Sequence, residues 1–277
     1  MVNSMDSLKL NQLVKDIKKK KELSSLDDDF VKEHLIQTLN KNHKMATILN
    51  EKFIPRSKHY SEIIKAVRSD LRKVYGLFRE DKIKIDFIQE LLKDPRNKRL
   101  INRVLETHSS TRERLPYYEE LYRKIFAITG KPKIILDLGC GINPFSLIYM
   151  KFKGIYYAYD VSKIELNQIN LYFKSIKQSG KAKITDITKW NKFPKADIAF
   201  LFKMTDMIDR GKGHKGTEEM IRHLPVKYLV VSFPTLTMSG KLMTAPRRNW
   251  MEWLCNRLGY HFKIIEMPNE LFYIMEK

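Results

Sequence analysis

The sequence predicts an α/β chain in two parts, a helical N-terminal part followed by a largely parallel sheet of seven strands. Three observations predict it. Residues 1 to about 130 carry helical periodicity and few strand signals. From Lys133 onward, short apolar runs alternate with helical stretches, the pattern of a parallel sheet covered on both faces. Two of those runs, Lys133-Ile-Ile-Leu-Asp-Leu-Gly-Cys-Gly141 and Gly154-Ile-Tyr-Tyr-Ala-Tyr-Asp160, carry an acid at or near the strand end, and the first leads into a Gly-x-Gly turn. In an open α/β sheet, strand ends of this kind border a ligand crevice.

Leu8, Leu10, Leu13, Val14 and Ile17 recur at helical spacing, ahead of the run Lys18–Lys21. Ser25-Leu-Asp-Asp28 reads as a helix start, with Phe30, Val31, Leu35, Ile36 and Leu39 on the next apolar face. Ile63, Ile64, Val67, Leu71, Val74 and Tyr75 line a third helix, whose other side carries Lys65, Arg68, Arg72, Lys73 and Arg79. Further helices are expected around 83–93 and 96–106. Strands are expected at 133–138, 155–160, 182–185, 197–202, 227–232, 261–266 and 271–275. Helices fall between them at about 144–151, 162–177, 217–223 and 247–258. The last two strands are joined by Met267-Pro-Asn-Glu270, too short for a parallel crossover, so they must be antiparallel. A domain boundary is drawn at 106/107, with a helical domain before it and the sheet domain, 107–277, after it.

Composition narrows the partners. Of 277 residues, 43% are hydrophobic, ample for a packed interior. No apolar run approaches the ~18 residues of a membrane span. The Lys-rich N-terminus lacks the apolar segment of a signal peptide. Cys140 and Cys255 form no metal-ligand cluster, so no metal and a reducing, cytoplasmic setting are expected. Lys+Arg number 52 against 32 Asp+Glu, a net charge of +20. A surplus this large favours a polyanion through counterion release, and nucleic acid is the expected partner. Arg68, Arg72 and Lys73, individually ordinary solvated residues, together form a stripe suited to phosphates.

The glycine turn identifies the ligand class. A dinucleotide site wants a third glycine, so that the next helix can pack close under a pyrophosphate. Gly139-Cys-Gly141-Ile-Asn-Pro-Phe145 lacks it, and Asn143 with Pro144 reads as an N-cap and first helical residue. The D-x-G-x-G form, with Asp137, Gly139 and Gly141, suits S-adenosylmethionine, which carries no phosphate. Asp160 can accept two hydrogen bonds from ribose hydroxyls. Asp186, after the third strand, is placed either to cap a helix or to accept from the adenine amino group. Seven strands ending in an antiparallel hairpin is the arrangement of Rossmann-like, class I S-adenosylmethionine-dependent methyltransferases.

Six segments carry a closer likeness. They are His108-Ser-Ser-Thr-Arg-Glu-Arg-Leu115, Ile135-Leu-Asp-Leu-Gly-Cys-Gly-Ile-Asn-Pro144, Tyr157-Ala-Tyr-Asp160, Phe200-Leu-Phe-Lys-Met204, Val231-Ser-Phe-Pro-Thr235 with Ser239-Gly-Lys241, and Asn269-Glu-Leu-Phe-Tyr-Ile274. In this order they resemble the Arm/Rmt family of small-subunit (16S) rRNA guanine-N7 methyltransferases, known from aminoglycoside resistance. The resemblance implies that Arg114 holds the carboxylate of the methionine moiety. It also implies that His108, Thr111, Asp137, Gly139, Gly141, Asn143, Asp160, Asp186 and Lys203 surround the cofactor. Lys203 and Phe233 would face the reacting guanine, with Ser232 and Pro234 closing the pocket. After Lys241 the chain departs from the family, reading Leu242-Met-Thr-Ala-Pro-Arg-Arg-Asn-Trp250. Lys241, Arg247 and Arg248 keep that loop basic, and it is expected to touch RNA. The departure leaves open a tRNA or another RNA site as target. A noncatalytic rRNA-binding assembly factor and a small-molecule methyltransferase are the competing readings.

Overall fold

In the computed structural model the described residues are 5–75, 85–189, 192–209, 213–237 and 240–277. They divide into two compact units, Met1–Lys82 with Val161–Ile164, and Ile83–Asp160 with Glu165–Lys277.

The first unit is helical: α1 (Ser7–Ile17), α2 (Asp28–Lys41), α3 (His43–Glu51) and α4 (Lys58–Tyr75). Asp6 starts α1 by accepting from the Leu8 N–H, and Asp27 starts α2 by accepting from Asp29 and Phe30. The apolar stripes of the sequence meet inside: Leu13, Ile17, Val31, Leu35, Leu39, Ile63, Val67 and Leu71 are completely buried. Helix α3 is an addition to the sequence reading. It buries only Ala46 and Leu49, too thin a stripe to register as a period. Arg79 lies outside the described residues, as does the side chain of Lys73.

The second unit begins with α5 (Ile85–Lys93), α6 (Lys98–Leu105), α7 (Ser109–Arg114) and α8 (Tyr118–Thr129). Ile88, Leu91, Ile101, Val104 and Leu105 join the cluster formed by Leu121, Tyr122, Ile125, Ile135 and Phe200. Helices α5 and α6 therefore share a core with the sheet, although they precede the boundary drawn at 106/107.

The sheet comprises β1 (Ile134–Leu138), β2 (Ile155–Asp160), β3 (Gly180–Ile184), β4 (Ala196–Phe202), β5 (Val226–Pro234), β6 (His261–Met267) and β7 (Glu270–Glu276), in the order β3-β2-β1-β4-β5-β7-β6. Strand β7 runs antiparallel to both β5 and β6, as the short Met267–Glu270 turn requires. The remaining helices are α9 (Leu147–Met150), α10 (Lys163–Ile176), α11 (Thr205–Asp209), α12 (Lys215–His223) and α13 (Asn249–Leu258). Alternate residues feed opposite faces: Ile135, Phe200 and Phe202 enter one core, and Leu136, Leu138, Ala199 and Leu201 the other. The outer edge of β3 is closed by Asn170, whose side-chain amide both donates to and accepts from the Ala182 backbone at 2.9 Å. This is the Rossmann-like architecture expected from sequence. Its chain order reverses between β1 and β4, which places a crevice at their C-terminal ends.

Candidate active site

At the end of β1 the chain turns through Gly139 and Gly141, both at positive φ, +72° and +48°. The Gly139 and Cys140 N–H groups donate to the Tyr159 carbonyl at 2.8 and 3.0 Å, and the Gly141 N–H donates to Asp160 Oδ2 at 2.8 Å. The glycine turn is thereby folded over the end of β2. The positive φ of Gly139 is a backbone conformation that L side chains rarely adopt, so this tight turn favours a residue without a Cβ.

Beneath the turn is a buried polar network that local reading did not show. Asp137 Oδ2 accepts from Asn143 Nδ2 at 3.0 Å and from the Tyr156 hydroxyl at 2.6 Å. Asn143 Oδ1 accepts from Tyr118 at 3.0 Å, with Tyr122 at 3.4 Å. Burial pushes the Asp137 carboxyl up to about 6, against the opposing hydrogen bonds from Asn143 and Tyr156. Asn143 is thus not the N-cap expected of it. It stands inside a 3-10 turn, Asn143–Ser146, that precedes α9 and makes no side-chain cap bond, because its amide is drawn under the sheet by Asp137.

A second buried cluster joins residues far apart in sequence. Arg114, at the end of α7, donates from Nε and Nη2 to Glu270 Oε2 and Oε1 at 2.9 and 2.7 Å. Arg114 is 2% exposed and Glu270 completely buried. Burial alone would lower the guanidinium pKa, but the Glu270 charge more than reverses this and holds it above its usual range. Ser232 also donates to Glu270. Lys203 Nζ lies 2.6 Å from Glu113 Oε2 and 3.9 Å from Glu270 Oε2. Its backbone is left-handed, φ +57°, held by N–H contacts to Ser232 Oγ at 3.0 Å and Ser232 O at 3.2 Å. Backbone strain of this kind in a non-glycine residue persists only where surroundings over-determine it. Sequence reasoning missed Glu270 and Glu113, although both acids lie inside segments that carry the family likeness, Asn269–Ile274 and His108–Leu115.

His108 precedes α7, with Nε2 at 3.3 Å from Glu165 Oε1 and its ring facing Gly141. The Thr111 hydroxyl bonds to the Leu105 and His108 carbonyls, so it fixes the turn into α7. Asp186 Oδ1 accepts from the Thr188 N–H at 3.0 Å and its hydroxyl at 2.6 Å, a turn-closing arrangement. Phe233 is buried, edge-on to Trp250 and Tyr273, with Arg248 over its ring at 5.3 Å. Its ring is engaged in packing and offers no open face. The Arg248 guanidinium donates to the carbonyls of Pro246 at 2.8 Å, Pro234 at 3.3 Å and Ala245 at 3.3 Å, stapling its own loop. Arg68 likewise donates to the carbonyls of Ile17 and Asp16, at 3.1 and 2.5 Å, closing the C-terminus of α1. Arg72 pairs with Glu22, and Arg247 with Glu252. Lys241 is exposed on the loop.

The residues present fit S-adenosylmethionine. The Tyr117 hydroxyl is buried without a hydrogen-bond partner, and both the Arg114 and the Glu270 charges act on it. A zwitterionic amino-acid moiety supplies both a carboxylate and an ammonium for such a cluster. Glu270 takes the Nε–Nη2 edge of Arg114. Among the described residues, no group of His, Cys, Asp and Glu is arranged to hold a metal ion, and no helix is long and apolar enough to cross a membrane.

Residues 46–274 match the family model of ribosomal RNA methyltransferase (FmrO). The chain is similar to the 16S rRNA (guanine(1405)-N(7))-methyltransferase of Proteus mirabilis, 28% identical over 240 residues, 78% of this chain and 84% of that protein. The enzyme of the same name from Micromonospora rosea is 24% identical over 229 residues, 78% of this chain and 83% of its own. In fold it resembles the 16S rRNA methyltransferase RmtF in complex with S-adenosylhomocysteine, TM-score 0.76, 22% identical, covering 99% of this chain and 100% of that one. The 16S rRNA methylase ArmA aligns with TM-score 0.54 at 27% identity, over 68% of this chain and 97% of its own. A match that runs from α3 through the glycine turn to the terminal hairpin shows that the chain belongs to the FmrO family of ribosomal RNA methyltransferases.

Proposed function

We propose that this methyltransferase modifies N7 of a guanine in the decoding region of small-subunit rRNA, in the cytoplasm. One observation carries the reading: the Asp160 carboxylate, closed on the Gly141 N–H, lies at the open strand ends of a chain whose residues 46–274 match a ribosomal RNA methyltransferase model. The relatives named for guanine-N7 transfer support the target.

S-Adenosylmethionine, when bound, supplies an electrophilic methyl on a sulfonium. Guanine N7 carries an available lone pair and no proton, so no general base is required of the protein. Its task is to align two reactants and exclude water, which can supply most of the acceleration. Asp160 receives the ribose hydroxyls, and the glycine turn lets the ligand lie against the backbone. Arg114, Tyr117 and Glu270 would receive the amino-acid end, and Asp186 would accept from the adenine amino group. Lys203, buried between Glu113 and Glu270, is set at the strand end where the base must arrive. The helical residues 1–106 and the loop with Lys241 and Arg247 hold the RNA, through charge. Arg68 and Arg248 act there as braces for the contacting surface.

The test is incubation with labelled S-adenosylmethionine and separate pools of small subunits, naked rRNA and tRNA, followed by nucleoside mass spectrometry. N7-methylguanine in the small-subunit pool supports the reading. Label confined to tRNA overturns the substrate and favours the second reading, which rests on the divergent loop Leu242–Trp250.

A further inference from the structure

The second unit holds another cavity, at the end of the sheet opposite the glycine turn. It opens where the chain enters β1 and β2, between the outer side of α8 and the link from α9 to β2, and encloses about 630 Å3. Asp137 and Asp160 lie at the C-terminal ends of the same strands, so a five-residue strand, about 16 Å, separates the two places. The cavity is therefore not part of the cofactor crevice.

Its lining combines cations with aromatic rings. Arg123, Lys131, Lys151 and Lys153 are exposed around it, against one carboxylate, Glu119. Lys151 pairs with Glu119 at 2.6 Å. The side chains of Lys131 and Lys153 make no ion pair or hydrogen bond among the described residues, so their charge faces solvent uncompensated. The inner wall is made by half-buried Phe126, Tyr149 and Phe152. These rings are fixed by neighbours: Phe126 stacks on Tyr122, Tyr149 on Tyr118, and Phe152 meets Tyr156 edge-on. A rigid aromatic wall behind separated ammonium groups suits a chain with a phosphate at each step and a flat, apolar face between phosphates.

We infer that this basic, aromatic trough is a second RNA-binding site, which grips a backbone segment of the substrate away from the guanine being methylated. The inference rests on the proposed rRNA substrate. Charge complementarity selects the occupant: the trough carries a local excess of three cations, within a chain of net charge +20. It acts by anchoring, so it sets affinity for the large substrate and leaves the chemistry at the other end of the sheet untouched.

The experiment is the double variant Lys131→Glu/Lys153→Glu, at two exposed positions without partners. Binding to small subunits is measured across a salt series, with methyl-transfer kinetics alongside. The expected result is a slope of log affinity against log salt that falls by about 1.4–1.8, from two lost phosphate contacts. KM for subunits rises about tenfold or more, whereas kcat and cofactor affinity stay at wild-type values. An unchanged salt slope and KM overturn the inference. Ultraviolet crosslinking of the wild-type complex, read by mass spectrometry of peptides spanning 149–154, is expected to show attached nucleotide. Attachment of a ribosomal protein there instead overturns it. The salt slope and crosslinks are read from binding alone, so they remain interpretable if wild-type enzyme transfers no methyl group to subunits, the result that removes the proposed function itself.

Discussion

Replacing Glu270 by Gln keeps the shape of the side chain and removes its charge. The carboxylate accepts both bonds of the Arg114 fork, at 2.9 and 2.7 Å, accepts from Ser232, and lies 3.9 Å from Lys203. An amide has one acceptor oxygen, so one arm of the fork must face an NH2 group, and the guanidinium loses the charge that offsets its burial. Breaking a fully buried pair by removing one partner costs about 3–5 kcal/mol. The amide oxygen keeps one bond, which places Glu270→Gln toward the lower end. For a chain of this size, that corresponds to roughly 6–12 °C in Tm. Urea unfolding and calorimetry of S-adenosylmethionine binding are the assays. Stability is expected to drop by about 3 kcal/mol, and cofactor affinity to fall with it. The double variant Arg114→Met/Glu270→Met removes both charges; it should recover most of the stability and none of the cofactor affinity. A Glu270→Gln protein within 1 kcal/mol of wild type, binding cofactor normally, would show that the pair neither holds the fold nor shapes the site.

Three further outcomes are expected. Asp160→Ala removes the carboxylate proposed to accept from the ribose hydroxyls and frees the Gly141 N–H, so the cofactor dissociation constant should rise about 10- to 100-fold by calorimetry, from about 1.5–3 kcal/mol per such bond; an unchanged constant defeats the assignment. The Asp137 carboxyl titrates at about 6 in the folded chain, above the ordinary 3.8, so its contribution to stability is complete below pH 4 and is lost as pH rises through 6. Asp137→Asn keeps an oxygen where Asn143 and Tyr156 donate, and its stability relative to wild type should therefore increase between pH 4 and 7 by about 3 kcal/mol; a flat difference refutes this. Arg248→Lys loses the fork that binds the Pro234, Ala245 and Pro246 carbonyls, so limited proteolysis within 235–248 should accelerate while cofactor affinity holds; equal cleavage rates with wild type count against the staple.

The sheet was legible because β1, β2, β4, β5 and β7 are short apolar runs between turn residues, and because the Met267–Glu270 link allows only a hairpin. Asp137, Gly139, Gly141 and Asp160 were legible for a related reason: two strand ends and one turn place them together with little help from the rest of the chain. Glu270 was not, since its partner Arg114 is 156 residues away and no local pattern records such a pairing. Asn143 was misread because an Asn-Pro pair looks like a helix start, whereas burial beside Asp137 decides its role. Charge counting gave the class of partner but not the contacts. Arg68 and Arg248 are drawn to backbone carbonyls, and Arg72 and Arg247 to carboxylates, so the cations left for RNA are fewer than the basic stripes suggested. The boundary at 106/107 followed the change from helical to alternating pattern, and pattern does not reveal that α5 and α6 share the core of the sheet.

Guanine methylated at N7 becomes cationic, and reduction followed by aniline cleaves the RNA chain at that nucleotide alone. Small subunits treated with the enzyme and S-adenosylmethionine, then reduced, cleaved and mapped by primer extension, give the most direct test of the reaction. One new stop, at a single guanine of the decoding region and absent without cofactor, is the expected result. Stops elsewhere in the subunit, or none while the cofactor is bound and consumed, contradict it.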